Sequence, residues 1–324
     1  MKRFRFDLIF YVASYYLGII NLFYFLNRRK QRILNYHHIL PDNLIENNLL
    51  FNFSHSVSVF KTQMNILSKR FTLTHRFKLQ NSAMITFDDG AINNYTYAVP
   101  ILNEFNVKGY FFIIDERLRN SDLLWVDKWF LWLSKIPYGV YNILGVEIII
   151  ANEEDRYVAH NKLWSMLRAS YDVDGILKVM NQIYSLNNFQ DYIERNDLRF
   201  SSVTQKEIDL MIRNGHFIGS HSTKHNIFSL QAKAELTKEL TTIITSPIYN
   251  TKVFAIPFGT NAEANNEIFS IIVKCGFNTI LLNQIESKHP LCFGRINLPN
   301  TSNTYMIEAY LSGLHYFIKT RMLL

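Results

Sequence analysis

Two short stretches hold residues whose types and spacing can do chemistry. Met84 to Gly90 reads MITFDDG, in which strand-forming residues run into two adjacent carboxylates, Asp88 and Asp89, and a glycine. Adjacent like charges cost free energy unless a cation or a proton compensates them. Gly219 to His225 reads GSHSTKH, and its His221 and His225, four apart in a strand-to-loop turn, can aim two imidazoles at one point. A carboxylate from Asp89 would complete a three-ligand site for a divalent metal with a position left for water, which is what a hydrolytic metal needs.

Such residues must be brought together by the elements that carry them. Short runs rich in β-branched and aromatic residues predict strands at Ile33 to Tyr36, Met84 to Phe87, Tyr110 to Ile114, Phe217 to Ser220, Val253 to Ile256, Thr279 to Leu282 and Arg295 to Leu298. Apolar residues at helical spacing predict helices at Val57 to Lys69, Tyr95 to Phe105, Gln205 to Asn214, Ala232 to Thr245 and Ala262 to Lys274. Alternating strands and helices make an α/β protein with a parallel sheet, and seven such strands point to a barrel. In a parallel barrel chemistry collects at the C-terminal strand ends, where both stretches fall. Residues from about 117 to 202 break the alternation. Apart from VEIII at Val146 to Ile150 they read as helical, so they predict a large insertion over one end of the barrel.

With 324 residues, 48% of them hydrophobic and 15% aromatic, the chain can bury a large core, which excludes a disordered protein. The net charge of +7 suggests an anionic partner, but Lys2, Arg3, Arg5, Arg28, Arg29, Lys30 and Arg32 all flank one apolar segment. The rest of the chain has no long basic patch interleaved with aromatics, so a nucleic acid is not expected. Cys275 and Cys292 are the only cysteines and form no CxxC pair, which argues against a disulfide framework or a cysteine zinc site and for a reducing compartment.

The apolar segment, Leu8 to Leu26, has the length of a bilayer span but carries Ser14, Asn21 and several tyrosines. No small-residue cleavage site follows, so removal as a signal peptide is not expected. The larger basic cluster, NRRKQR, lies on its C-terminal side, which would keep the main domain at the cytoplasmic face of a bacterial inner membrane. That holds whether the segment spans the bilayer or lies in its interface; packing on the domain as a soluble helix is the remaining alternative. Residues 1–32 are thus read as a membrane-associated segment and 33–324 as the main domain, whose apolar, basic C-terminal stretch from Tyr310 offers a second surface contact.

The sequences TFDDG and HSTKH resemble the first two motifs of the polysaccharide deacetylase family, the NodB-homology enzymes or carbohydrate esterase family 4. The resemblance implies the distorted (β/α)7 barrel of that family, with Asp89, His221 and His225 as ligands of a divalent metal, usually zinc. It implies Asp88 as the base that takes a proton from the water attacking an N-acetyl carbonyl. FAIPFG, Phe254 to Gly259, has the shape of the third motif, but Ala255 stands where many members have arginine, the usual partner of the base. The branch resembling the poly-N-acetylglucosamine deacetylases also carries alanine there. The turn's aromatic, Phe258, inherits a backbone N–H that helps hold the oxyanion.

That branch begins its domain with a strand ending in Tyr-His, so ILNYHHI, Ile33 to Ile39, implies His37 as the general acid, ahead of His38. GRINLP, Gly294 to Pro299, resembles a terminal-strand segment of the branch, and Arg295 could replace the missing arginine beside Asp88, a surface position being the alternative. Trp125, Trp129 and Trp132 are read as helix-packing residues ahead of sugar-stacking or membrane-interface ones. The expected function is a metal-dependent N-deacetylase acting on an N-acetylated glycan or lipid-linked amino sugar of the cell envelope. Two alternatives stay open: a metal-dependent amidohydrolase of small molecules, and a non-catalytic, membrane-bound glycan-binding protein, for which Ala255 is the hint.

Overall fold

The structure is a computed structural model that describes residues 2–45, 50, 53–119, 123–186, 198–260, 263, 265–284 and 289–320. Seven strands run in chain order around a sheet: β1 (Arg32–Tyr36), β2 (Ser82–Phe87), β3 (Tyr110–Ile113), β4 (Phe217–Ser220), β5 (Val253–Ala255), β6 (Thr279–Leu282) and β7 (Cys292–Gly294). Every neighbouring pair is parallel. A short strand, Thr72–Leu73, flanks the start of β2. Beyond β7 the chain returns to β1: Asn35 N–H donates to Ile296 O at 2.9 Å and Ile296 N–H to Ile33 O at 2.7 Å, which nearly closes the barrel.

The strands read as continuous apolar runs because they are covered on both faces. Alternate residues then divide by face. Ile33, Met84, Tyr110, Phe112, Val253, Ala255 and Leu281 fill the barrel interior. Leu34, Ile85, Phe87, Phe111, Ile113 and Ile218 pack outward beneath helices that include Val57–Arg70 and Gln205–Arg213. The helix predicted over 95–105 begins as a π-helical turn at Asn94–Ala98 and continues as α-helix at Val99–Glu104. The helix predicted over 262–274 is described at Asn266–Lys274, its first turn capped where Ile268 N–H donates to Asn265 Oδ1. Residues 261, 262 and 264 lie outside the described residues.

One predicted element is corrected and one is extended. The last strand is Cys292–Gly294, not Arg295–Leu298, because beyond Gly294 the backbone divides its partners: Arg295 N–H donates to Gln284 O and Ile296 N–H to β1. VEIII is a strand, but it pairs antiparallel with Gly139–Ile143 in a hairpin the sequence reading did not contain. Its two-residue turn, Leu144-Gly145, has φ of 54° and 76°, the left-handed pair of a type I′ hairpin. Around the hairpin the helices Trp125–Lys135, Glu153–Ser170 and Val173–Leu186 enclose a core of their own, with Trp129 and Trp132 at its centre, as the packing reading of these tryptophans expected.

The N-terminal apolar segment forms two helices, Lys2–Tyr16 and Ile19–Leu26, bent by 82° at a break. Gly18 sits in that break at φ 76°. Among the described residues no single helix is long and apolar enough to cross a membrane. Both helices pack on the C-terminal helices Thr304–Ser312 and Leu314–Thr320 through Tyr11, Ile20, Phe23, Met306, Ala309 and Leu314.

Candidate active site

The interior parity of the strands carries directly into the site. Continuing Ile33 two residues at a time gives Asn35 and His37, continuing Met84 gives Thr86 and Asp88, and continuing Gly219 gives His221. Gly219 faces the interior so closely that an added Cβ would meet Phe112 Cε1 at 2.6 Å. On β7 the interior Phe293 is followed two residues on by Arg295. Apolar side chains thus fill the lower barrel, and a polar cluster fills its C-terminal end.

Asp88 lies at the centre of that cluster, 2% exposed. Its backbone N–H donates to Tyr36 O at 2.9 Å, which extends strand pairing one residue past β2. Arg295 grips the carboxylate with both arms, Nη1 to Oδ1 and Nη2 to Oδ2, each at 2.7 Å. Asn35 ties the pair together: its Nδ2 donates to Asp88 Oδ2 at 3.2 Å, and its Oδ1 accepts from Arg295 Nη1 at 2.7 Å. Burial alone would push the Asp88 carboxyl up, but opposing effects led by the charge of Arg295, with its hydrogen bonds, hold the group below the usual carboxylate range.

Asp89 turns the other way. It has φ 73° and is followed by Gly90 at φ 68°, where a Cβ would meet Ile113 Cγ2 at 3.0 Å. This left-handed pair swings the Asp89 carboxylate to the histidines, its Oδ1 lying 3.6 Å from His221 Nε2 and 3.7 Å from His225 Nε2. One ligand atom from each of Asp89, His221 and His225 lies within 4.8 Å of the others. His221 Nδ1 is 2.8 Å from Ala255 O, and because a carbonyl only accepts, Nδ1 donates to it and Nε2 is the ring nitrogen that faces the trio. Burial pushes His225 down to about 3, so this imidazole is neutral at physiological pH. Asp89 Oδ1 is buried without a hydrogen-bond partner. Two imidazole nitrogens facing an unsatisfied carboxylate oxygen fit a divalent cation, and this donor set suits zinc.

The histidine loop is held rigidly. His225 N–H donates to Ser222 Oγ at 2.8 Å, Asp115 and Glu116 N–H groups donate to the Ser222 and Thr223 carbonyls, and Trp125 Nε1 donates to Lys224 O at 3.0 Å. Of the eight non-glycine residues with positive φ among those described, Asp89, Ser222, His225 and Phe258 belong to this site. Strained backbone thus concentrates around the Asp89, His221 and His225 cluster. Phe258 has φ 60°, its ring sits 4.7 Å from that of His225, and its N–H has no acceptor among the described residues.

His37 is half-buried and His38 buried, and both line a cavity of about 870 Å³ with Asp88, Asp89, His221 and His225. Their environments differ. His38 Nδ1 accepts from Asn93 Nδ2 at 3.1 Å, and burial pushes its imidazole down to about 3. His37 is held by its backbone, whose carbonyl accepts from Asn94 Nδ2, and its ring lies 5.5 Å from Phe53. Phe53, Phe130, Phe200 and Phe258 form apolar walls, while Asn283, Asn297 and Asn300 offer amides.

All seven predicted site residues therefore meet at one end of the barrel, with Arg295 buried at the base, not on the surface. Sequence reading missed Asn35, Asn93, Asn94 and the buried pair Arg117–Asp127, in which Nη2 lies 2.5 Å from Oδ1. Asn35 left a signal: asparagine in the middle of RILNY is out of place in a buried strand unless its amide is used. Asp127 lines the cavity from the insertion, and burial pushes its carboxyl up to about 6 against the pull of Arg117.

The family model described as polysaccharide deacetylase matches residues 77–152, the segment that carries the paired aspartates, in line with the expected resemblance. Among solved structures, the deacetylase PplD of Streptococcus pyogenes in complex with acetate aligns with TM-score 0.51 at 13% identity, over 84% of this chain and 93% of that one. A de-N-acetylase from Aggregatibacter actinomycetemcomitans aligns with TM-score 0.53 at 12% identity, over 86% and 99%. A polysaccharide deacetylase from Bacillus cereus aligns with TM-score 0.50 at 15% identity, over 87% and 68%. These likenesses are likenesses of fold, that of a distorted (β/α)7 barrel of the NodB type. No curated relative matches the sequence.

Proposed function

Starting from that family resemblance, we propose that the chain is a metal-dependent hydrolase that removes N-acetyl groups from a glycan or lipid-linked amino sugar of the cell envelope. The observation that carries this reading is the division of labour between the two aspartates. Asp88 is locked by Arg295 and kept ionised, while Asp89 faces the Nε2 atoms of two imidazoles. A base and a ligand set, side by side, are what hydrolysis of an acetamide requires.

Asp89, His221 and His225 would hold the divalent ion, with zinc favoured by the donors. When bound, such an ion supplies Lewis acidity, polarising an acyl carbonyl and lowering the pKa of water. Asp88 takes the proton of the attacking water, and the Phe258 N–H donates to the developing oxyanion. His37, on the cavity rim, gives a proton to the departing amine. Arg295 acts through Asp88 by fixing its charge and orientation. Aromatic walls with amides between them suit a sugar ring, which offers apolar faces and a rim of hydroxyls. The role suggested by Ala255 as a sign of lost catalysis weakens, since Arg295 occupies the position beside the base. The N-terminal segment is proposed to hold the enzyme at a membrane, at the cytoplasmic face of the bacterial inner membrane.

The reading is tested by metal content and acetate release from N-acetylated glycans, lipid-linked amino sugars and small acetamides, for wild type and Asp88→Asn. Acetate from the sugars by wild type only, with about one divalent ion in both proteins, is the expected result. Bound metal without acetate from any substrate would favour a glycan-binding protein. Turnover of small acetamides alone would favour an amidohydrolase.

A further inference from the structure

We propose that the N-terminal helix pair and the C-terminal helix Leu314–Thr320 form one platform that lies on an anionic lipid bilayer without crossing it. This rests on the membrane association proposed above and is independent of the chemistry at the barrel end.

The inner face of the pair is committed to the protein. Tyr11, Ile20 and Phe23 are buried against Met306, Ala309 and Leu314. Tyr11 Oη and His315 Nδ1 are hydrogen-bonded at 2.7 Å, Asn27 Nδ2 donates to Ser312 O at 2.9 Å, and Tyr24 Oη donates to Glu308 Oε2 at 2.5 Å. A bilayer's hydrocarbon is about 30 Å thick and takes about 20 helical residues to cross. Ile19–Leu26, with 8 residues, reaches about 12 Å. Spanning would require the 82° bend to straighten and these side chains to undock, breaking the Tyr11–His315 and Asn27–Ser312 hydrogen bonds and taking the Tyr11 hydroxyl into hydrocarbon without a partner.

The outer face is uncommitted and apolar. Leu17, at the apex of the bend, is 75% exposed, Ile9 66% and Phe25 59%, and Ile318 on the C-terminal helix adds to them. Arg28, Arg29, Lys30 and Lys319 are exposed on the same elements, and no acidic residue occurs between Leu8 and Pro41. Arg28 stacks over Phe25, its guanidinium carbon 4.1 Å from the ring centroid, so charge and apolar side chain adjoin at this end of the pair. Exposed large apolar residues with a cation cluster beside them complement anionic headgroups above acyl chains.

The test is flotation of the full purified chain with vesicles of phosphatidylcholine alone or mixed with phosphatidylglycerol, followed by alkaline carbonate washing. The protein is expected to float with the anionic vesicles and to be released by carbonate. Leu17→Glu with Phe25→Glu should weaken binding at least about tenfold, and Arg28→Gln/Arg29→Gln/Lys30→Gln by about 10²-fold. These positions are exposed, and acetate release from a soluble oligosaccharide reports that each variant is folded. Absence of flotation with either vesicle overturns the platform and the membrane association together. Retention through carbonate overturns the platform alone, since it means spanning. A dimer in solution that Leu17→Glu dissociates also overturns the platform, because a second copy then covers the face.

Discussion

Replacing Arg295 with methionine removes the cation beneath the Asp88 carboxylate while conserving most of the side chain's volume. Asp88 would then keep only the Asn35 amide, at 3.2 Å, as a side-chain donor in a site where it is 2% exposed. Breaking a buried ion pair from one side costs about 3–5 kcal/mol because the remaining charge is left without compensation. Urea unfolding of the metal-free protein at pH 7 should show a loss of that size. The double variant Arg295→Met/Asp88→Asn should recover most of it, since the stranded charge is gone. The pH dependence should change sign as well. In wild type the Asp88 carboxyl is held below its unfolded value, so it contributes stability that is present above about pH 3.9 and is lost as pH falls through the folded value. Without Arg295, burial leads and the carboxyl rises above its unfolded value. The variant should then gain stability as pH falls from neutrality through the raised value, where wild type does not. Acetate release should fall within the roughly 10²–10⁴-fold that a positioned base contributes. An Arg295→Met protein within 1 kcal/mol of wild type, or a double variant no more stable than the single one, would falsify the assignment of Arg295 as the partner that keeps Asp88 charged.

Further outcomes follow from the same geometry. Asp88→Asn should abolish acetate release with metal still bound, whereas His221→Ala should lose both, as metal analysis and acetate assay on the same preparation will tell; equal metal loss in the two variants would contradict the split roles. His37→Gln should lower turnover and leave metal content unchanged, and normal turnover would remove it from the acid role. Chelation should lower thermal stability, and restoring a divalent ion at about 1,000 times its Kd should return about 4 kcal/mol; an unchanged melting curve would mean that no ion is held. His55, buried with Nε2 donating to Leu298 O, is pushed down to about 4 by burial. Its unfolded value is about 6.5, so the stability from keeping it neutral is present above that pH and is lost as pH falls towards 4, about 3 kcal/mol in all. His55→Asn should flatten this acid limb, and an identical limb would assign it elsewhere.

The amino-acid sequence by itself determined the alternation of strands and helices, six of the seven barrel strands and the placement of both acid and histidine motifs at strand ends. Apolar periodicity and turn residues are local properties, and they were enough for this. It did not reveal the hairpin at 139–150, because GVYNI has the weak, half-exposed pattern of a strand that needs its partner. Nor could it decide which residues of each strand face inward. In a parallel barrel both faces of a strand are buried, so hydrophobic alternation is erased and carries no parity. Only the tertiary structure put Asn35, Thr86, Asp88, His221 and Arg295 on the same interior side. The bond between Arg295 and Asp88 joins residues 207 apart in the chain. Each alone reads as a charge beside a strand, and only closure of the barrel through Ile296 and β1 brings them within hydrogen-bond reach, away from water, where their charges govern each other.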